Sequence, residues 1–181
     1  MTSKTYVFID ASNIIYGTRD EGWKVDFKKL YKYLRERYSA KIIYYFGGKD
    51  ENNEKQVGFY KLLDKIGFEL ILKPVKIFKQ ENGHQVRKAN CDVDLTFYAM
   101  RDFTKYSRGI FLTGDGDFEI LLKYLIKQKK EVKVIANGKR TAREIKSLVG
   151  ADFVPIKSLQ AILEYRHKKG RTLRTTPPHV L

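Results

Sequence analysis

The chain is poor in cysteine and histidine, has no long apolar run, and holds too few acids to balance its bases. Each shortage removes a class of function. A single cysteine, Cys91, has no partner for an internal disulfide and cannot build a cysteine-based zinc centre. The three histidines, His84, His167 and His179, are scattered, two of them in or near the C-terminal end, and supply no imidazole cluster. Any metal held here is therefore expected on oxygen donors. The N-terminus shows no secretory apolar core, and no stretch of about 20 apolar residues occurs, so a cytoplasmic protein without membrane association is expected. Against 36 Lys plus Arg stand only 21 Asp plus Glu, a net charge of +15. Such an excess points to a polyanionic partner, because Lys and Arg displace counterions along a phosphate backbone. A merely soluble basic surface is the plainer alternative.

What the chain has is alternation. At 181 residues with 43% hydrophobic content, it suits one domain with a sizeable core. Residues 5–9, 42–46, 69–72, 110–112 and 132–136 are short apolar runs of the kind buried on both faces of a parallel sheet. Helical spacings lie between them: Phe27, Leu30, Tyr31 and Leu34 behind Asp26 as N-cap, then Phe59, Leu62, Leu63 and Ile66 ahead of Gly67, then Phe118, Leu121, Leu122 and Leu125. From Asp92 to about Thr104, apolar residues (Val93, Leu95, Phe97, Ala99, Met100 and Phe103) fall on nearly all sides of a helix, which is expected to be deeply packed. A helix over 141–149, an edge strand over 154–156 that tolerates Pro155, and a last helix from about Ser158 complete the pattern. Residues 73–90 interrupt it as a basic stretch with a turn at Asn82-Gly83, read as a short hairpin or loop. The alternation predicts an α/β, Rossmann-like three-layer sandwich with a mainly parallel central sheet. Residues 1–165 are read as one domain and 166–181 as a basic, flexible tail.

Carboxylates punctuate this pattern where chemistry is built. The first strand ends at Asp10, followed by Ala11-Ser12-Asn13, and the fourth ends in Thr113-Gly114-Asp115-Gly116-Asp117. The apolar middle helix opens with Asp92 and Asp94. Strands one and four of a doubly wound sheet are commonly neighbours where the strand order reverses, so their carboxyl ends share a crevice. Each acid has a plain reading as a turn former or helix cap, and Asp117 in particular reads as an N-cap with Asp115 in a glycine turn. Several acids converging on one edge of a +15 chain are better explained by a hard cation, Mg2+ or Mn2+. An acidic pocket inside a basic exterior suits phosphodiester cleavage. Lys88, Lys139 and Arg140 are candidates for holding the strand, and Tyr16 and Trp23, in what reads as a loop after the first strand, for stacking on bases or, equally, for core packing or simple exposure.

Three blocks, Ile9-Asp10-Ala11-Ser12-Asn13, Lys88 to Leu95, and Leu112 to Phe118, resemble in content and order the signature blocks of NYN domains, specifically the LabA-like group of the PIN-like nuclease superfamily. The resemblance runs from about residue 5 to 160. It implies a metal-dependent ribonuclease with ligands at Asp10, Asp92 or Asp94, Asp115 and Asp117, supported by Asn13 and Thr113. Many relatives carry a further acid in the middle helix where this chain has Tyr98, so the resemblance leaves one metal or two open. With Asp92 slightly favoured over Asp94, the expected mechanism is in-line attack leaving a 5′-phosphate and a 3′-hydroxyl. Single-stranded RNA is the expected substrate, with DNA and a homodimer left open. The alternative is a non-catalytic RNA-binding or adaptor domain with a vestigial site. A phosphatase using Asp10 as nucleophile is disfavoured, because the acid such an enzyme needs two residues later is Ser12 here.

Overall fold

A computed structural model describes residues 4–50, 53–79 and 85–166, with the backbone alone for 76–79 and 85–88. Six strands form one all-parallel sheet: β1 (Thr5–Asp10), β2 (Ala40–Lys49), β3 (Glu69–Pro74), β6 (Arg108–Leu112), β7 (Glu131–Ala136) and β8 (Phe153–Pro155). Their spatial order is β3-β2-β1-β6-β7-β8, so the winding reverses between β1 and β6. The expected neighbours, strands one and four of the alternation, do pair, with Ile9 opposite Leu112. β4 (Lys76–Lys79) and β5 (Gln85–Lys88) form a separate antiparallel hairpin in the basic stretch.

Period-two burial builds the two cores. Val7, Ile9, Ile43, Tyr45, Ile110 and Leu112 face one side of the sheet, against α1 (Ala11–Asp20), α2 (Phe27–Tyr38), α3 (Glu54–Ile66) and α7 (Gln160–Leu163). Phe8, Tyr44, Phe46, Phe111 and Val134 face the other, against α4 (Asp92–Arg101), α5 (Glu119–Lys127) and α6 (Arg143–Val149). This is the expected three-layer sandwich. Asp26 caps α2 through the N–H groups of Lys28 and Lys29, and Gly67 ends α3 in the left-handed region at φ 112°.

Two expectations are corrected. The stretch after β1 is not a loop: Asp10 accepts the N–H of Asn13 and starts α1 at once. Its buried residues are small or β-branched (Ala11, Ile14, Gly17 and Thr18), and three of them, Ile14, Gly17 and Thr18, have weak intrinsic helix preference that tertiary contact overrides. Gly17 is what the close approach requires, because a Cβ there would meet that of Asn137 at 3.1 Å. Second, α4 is not deeply packed. Only Leu95 and Ala99 are buried, while Val93 is 75% and Phe97 57% exposed.

Candidate metal centre

The site forms where β1 and β6 end side by side. Because Ile9 pairs with Leu112, the next residues, Asp10 and Thr113, stand beside each other at the carboxyl edge. The Thr113 hydroxyl donates to Asp10 Oδ2 at 3.4 Å and the Asn13 N–H to Oδ1 at 3.1 Å. Asn13 reaches across in turn, its Oδ1 accepting the Gly114 N–H at 3.0 Å, and so ties the first turn of α1 to the loop after β6. The third segment is fastened to that loop by the Ala142 N–H, which donates to Gly114 O at 2.9 Å. Gly114 is excluded from carrying a side chain, since a Cβ would sit 2.4 Å from Thr141 Oγ1.

Beyond Gly114 the chain turns on Asp115, whose Oδ1 accepts the Asp117 N–H at 3.1 Å. Asp115, rather than Asp117, is the capping residue of the short 3-10 turn Gly116–Phe118 that leads into α5, so the capping roles expected from sequence are exchanged. Asn90 performs the same service for α4, accepting the Asp92 N–H at 2.8 Å. Asp92, Asp115 and Asp117 thereby bring one carboxylate oxygen each to within 4.8 Å of the others. At that spacing two carboxylates repel by about 1 kcal/mol in water and about 3 kcal/mol at an effective dielectric of ~20.

The electrostatics record this crowding. Burial pushes the Asp10 carboxyl from 3.8 up to about 6; the Asn13 N–H and Thr113 hydroxyl oppose the shift, and the charges of Asp92 and Asp115 add to it. Asp92 is likewise raised, first by burial and then by Asp115 and Asp117, against the hydrogen bond from Asn90. Cys91, immediately before Asp92 in sequence, is pushed up to about 11, chiefly by burial and then by Asp94 and Asp10, so it is a neutral thiol.

The structure thus brings Asp92, Asp115 and Asp117 together, with Asp10 half-buried behind them on Thr113 and Asn13. Asp94 goes elsewhere: it meets Lys73 Nζ at 2.5 Å. Of the proposed strand-holding cations, Lys139 and Arg140 are exposed on the loop after β7, and Arg140 is engaged with Asp20 at 2.8 Å. The Lys88 side chain lies outside the described residues. Trp23 is no base-stacking residue, being 3% exposed in the core with its Nε1 donating to Glu21. Tyr16 is half-buried under the Arg19 guanidinium. Three residues that hold the site together escaped the sequence reading: Lys73, Asn90 and Asn137. The Asn137 side chain accepts the N–H groups of Lys139 and Arg140 and donates to Gly17 O. Asn90, set two residues before Asp92, and Asn137, which with Gly138 reads as a turn after the fifth strand, carried a signal of their own as the side-chain turn partners that asparagine favours.

A doubly wound parallel sheet with a trio of carboxylates at its switch point defines a Rossmann-like domain whose acidic cluster offers only oxygen donors. Residues 4–157 match the NYN domain, and the chain belongs to that family, within the PIN-like nuclease superfamily. It is 25% identical over 167 residues to Low amplitude and bright protein LabA of Synechococcus elongatus, covering 90% of this chain and 88% of that protein. A crystal structure of a protein of unknown function from Vibrio parahaemolyticus shares the fold, with a TM-score of 0.72 and 24% identity over 85% of this chain and 93% of that one. Among the described residues no helix is long and apolar enough to cross a membrane.

Proposed function

We infer that this protein is a divalent-metal-dependent ribonuclease that hydrolyses phosphodiester bonds of single-stranded RNA. The observation that carries the reading is the convergence of Asp92, Asp115 and Asp117 within 4.8 Å at the β1–β6 switch point. The donor set fits the cation such a domain implies: it is oxygen only, it concentrates negative charge, and Lys73, whose charge acts on Asp92, is committed to Asp94. Asp92, Asp115 and Asp117 would hold Mg2+ or Mn2+, with Asp10 adjoining. When bound, the cation supplies shielding of phosphate charge and acidification of water.

The chain's own residues do the rest. Thr113 and Asn13 fix the Asp10 carboxylate. Burial pushes the Asp10 carboxyl up to about 6, so it is mostly ionised at neutral pH. Asp115 sets the backbone of the turn that presents Asp117. The excess of Lys and Arg draws the polyanion to the surface.

The test is incubation of the purified protein with labelled single-stranded RNA in Mg2+, Mn2+ or EDTA, alongside Asp115→Asn and a single-stranded DNA of the same sequence. Cleavage in either metal, none in EDTA, and a loss of at least ~100-fold in Asp115→Asn are expected, beyond what outer-sphere partners of a metal site usually contribute. Cleavage that survives both chelation and the substitution overturns the proposal. RNA binding without cleavage, indifferent to EDTA, identifies the adaptor alternative.

A further inference from the structure

The exposed apolar residues of α4 are not scattered. Val93, Phe97 and Met100 recur at i, i+4 and i+7 along one helical face and are 75%, 57% and 36% exposed. On α5, Ile120 and Tyr124 form a matching i, i+4 pair, 78% and 43% exposed, and Tyr124 packs against Phe103 just beyond α4. Between α4 and the turn Gly116–Phe118 that leads into α5 lies a cleft of about 350 Å³ lined by Asp92, Val93, Thr96, Phe97, Asp117 and Phe118. Asp92 and Asp117 are therefore members of the carboxylate trio and walls of the cleft at once. Anything seated on Phe97 lies next to the acids.

That juxtaposition selects the occupant. A two-fold contact between copies through this face would place each copy's carboxylates in the same interface, like charge near like charge, which is unfavourable. A single nucleic-acid strand meets no such conflict. It offers flat apolar bases to the aromatic face and a phosphate to the acid-bound cation, and the +15 chain attracts it. We propose that the α4–α5 groove is a base-stacking shelf, with the Phe97 ring receiving the nucleobase that flanks the phosphate at the carboxylate trio, and Val93, Ile120 and Tyr124 extending the apolar track. This rests on the nuclease reading for the position of the phosphate, not for the stacking itself. It also explains why a helix so apolar is left half-uncovered beside an acidic centre.

The experiment measures binding of a short fluorescein-labelled single-stranded RNA by anisotropy in Mg2+, in the wild-type and Asp115→Asn backgrounds, with a denaturing gel confirming that the strand stays intact during the measurement. The same RNA with one abasic residue at each position in turn is compared. Phe97→Ala is expected to weaken binding of the intact RNA about tenfold, as loss of one base-aromatic stack does. It should leave unchanged the affinity for the one abasic strand that already binds as weakly, and Phe97→Trp should restore binding. Phe97 is exposed, and unchanged thermal melting of Phe97→Ala serves as the folding control. Equal weakening of intact and all abasic strands, unchanged affinity for the intact strand, or no RNA binding at all overturns the shelf. So does sedimentation showing a dimer that Phe97→Ala dissociates. The two readings separate: base-dependent binding through Phe97 by a protein that never cleaves keeps the shelf and removes the nuclease, and metal-dependent cleavage indifferent to Phe97 does the reverse.

Discussion

Gly114 has no room for a side chain, and the physical reason is contact rather than backbone angle. A methyl group there would meet Thr141 Oγ1 at 2.4 Å and the Thr141 backbone Cα at 3.0 Å, and backbone cannot swing away. Gly114→Ala is expected to destabilise the fold by about 1–3 kcal/mol in urea unfolding, the range for an overpacked site, and to lower nuclease activity by displacing Asp115. Asp102 is a second decisive residue, away from the site. Fully buried, it accepts from Tyr44 at 2.6 Å and from Arg101 and Lys105 at 2.7 Å each. These donors, Arg101 foremost, hold its carboxyl well below the usual carboxylate range. Its stabilisation is present at neutral pH and is lost only as the solution becomes strongly acid. Asp10 has the opposite sign. With a folded value of about 6 against 3.8 unfolded, the native state holds the extra proton, so the destabilisation from its charge is full above pH 6 and is relieved as pH falls toward 4. Metal-free protein should therefore melt at a higher temperature at pH 5 than at pH 7.5, and Asp10→Asn should flatten that slope in a thermal-shift series.

At the scale of the element, α4 shows how a helix sorts two acids. Asp92 and Asp94 are two positions apart and so project about 200° apart around the axis. One enters the carboxylate trio while the other turns to Lys73. Asp92→Asn is expected to weaken Mn2+ binding, read by electron paramagnetic resonance of the free ion, by at least ~10-fold. Asp94→Asn should change it far less and cost under about 1 kcal/mol of stability, since the Lys73 pair is partly exposed. Equal effects from the two would reverse the assignment. Sequence periodicity could not make this distinction, because it places both acids in the first turn without the phase of the helix against the sheet. The same blindness led to the expectation of deep packing: a nearly all-round apolar pattern was read as burial, whereas the face bearing Val93 and Phe97 is open beside the acids. α1 was missed for another reason: Asp10, Ser12, Asn13 and Gly17 are turn-forming residue types, and only the contacts of its buried Ala11, Ile14, Gly17 and Thr18 in the folded chain make the stretch a helix.

For the whole molecule, charge and cluster divide the work. The chain carries a net +15 while a trio of its acids converges at one site, so in the proposed function attraction of the polyanion and chemistry on it fall to different residues. RNA affinity in Mg2+ is accordingly expected to fall linearly with salt on a log-log plot, with a slope of about −0.7 per phosphate neutralised. A slope near zero would separate binding from the basic surface. The sandwich itself was legible from the chain, because strands buried on both faces are written locally as continuous apolar runs, as in Val7, Phe8 and Ile9 or Ile110, Phe111 and Leu112. The three acid-bearing blocks, their order and the excess of base were legible for the same reason. Their meeting was decided only in three dimensions. The pairing of Ile9 with Leu112 across the switch point joins residues 103 apart, the Asn13 and Ala142 hydrogen bonds lock the joined loops, and the phase of α4 chooses Asp92. Local pattern determines which face of each element is apolar, but the distance between carboxylates depends on strand order, loop closure and helix rotation, which no single stretch contains.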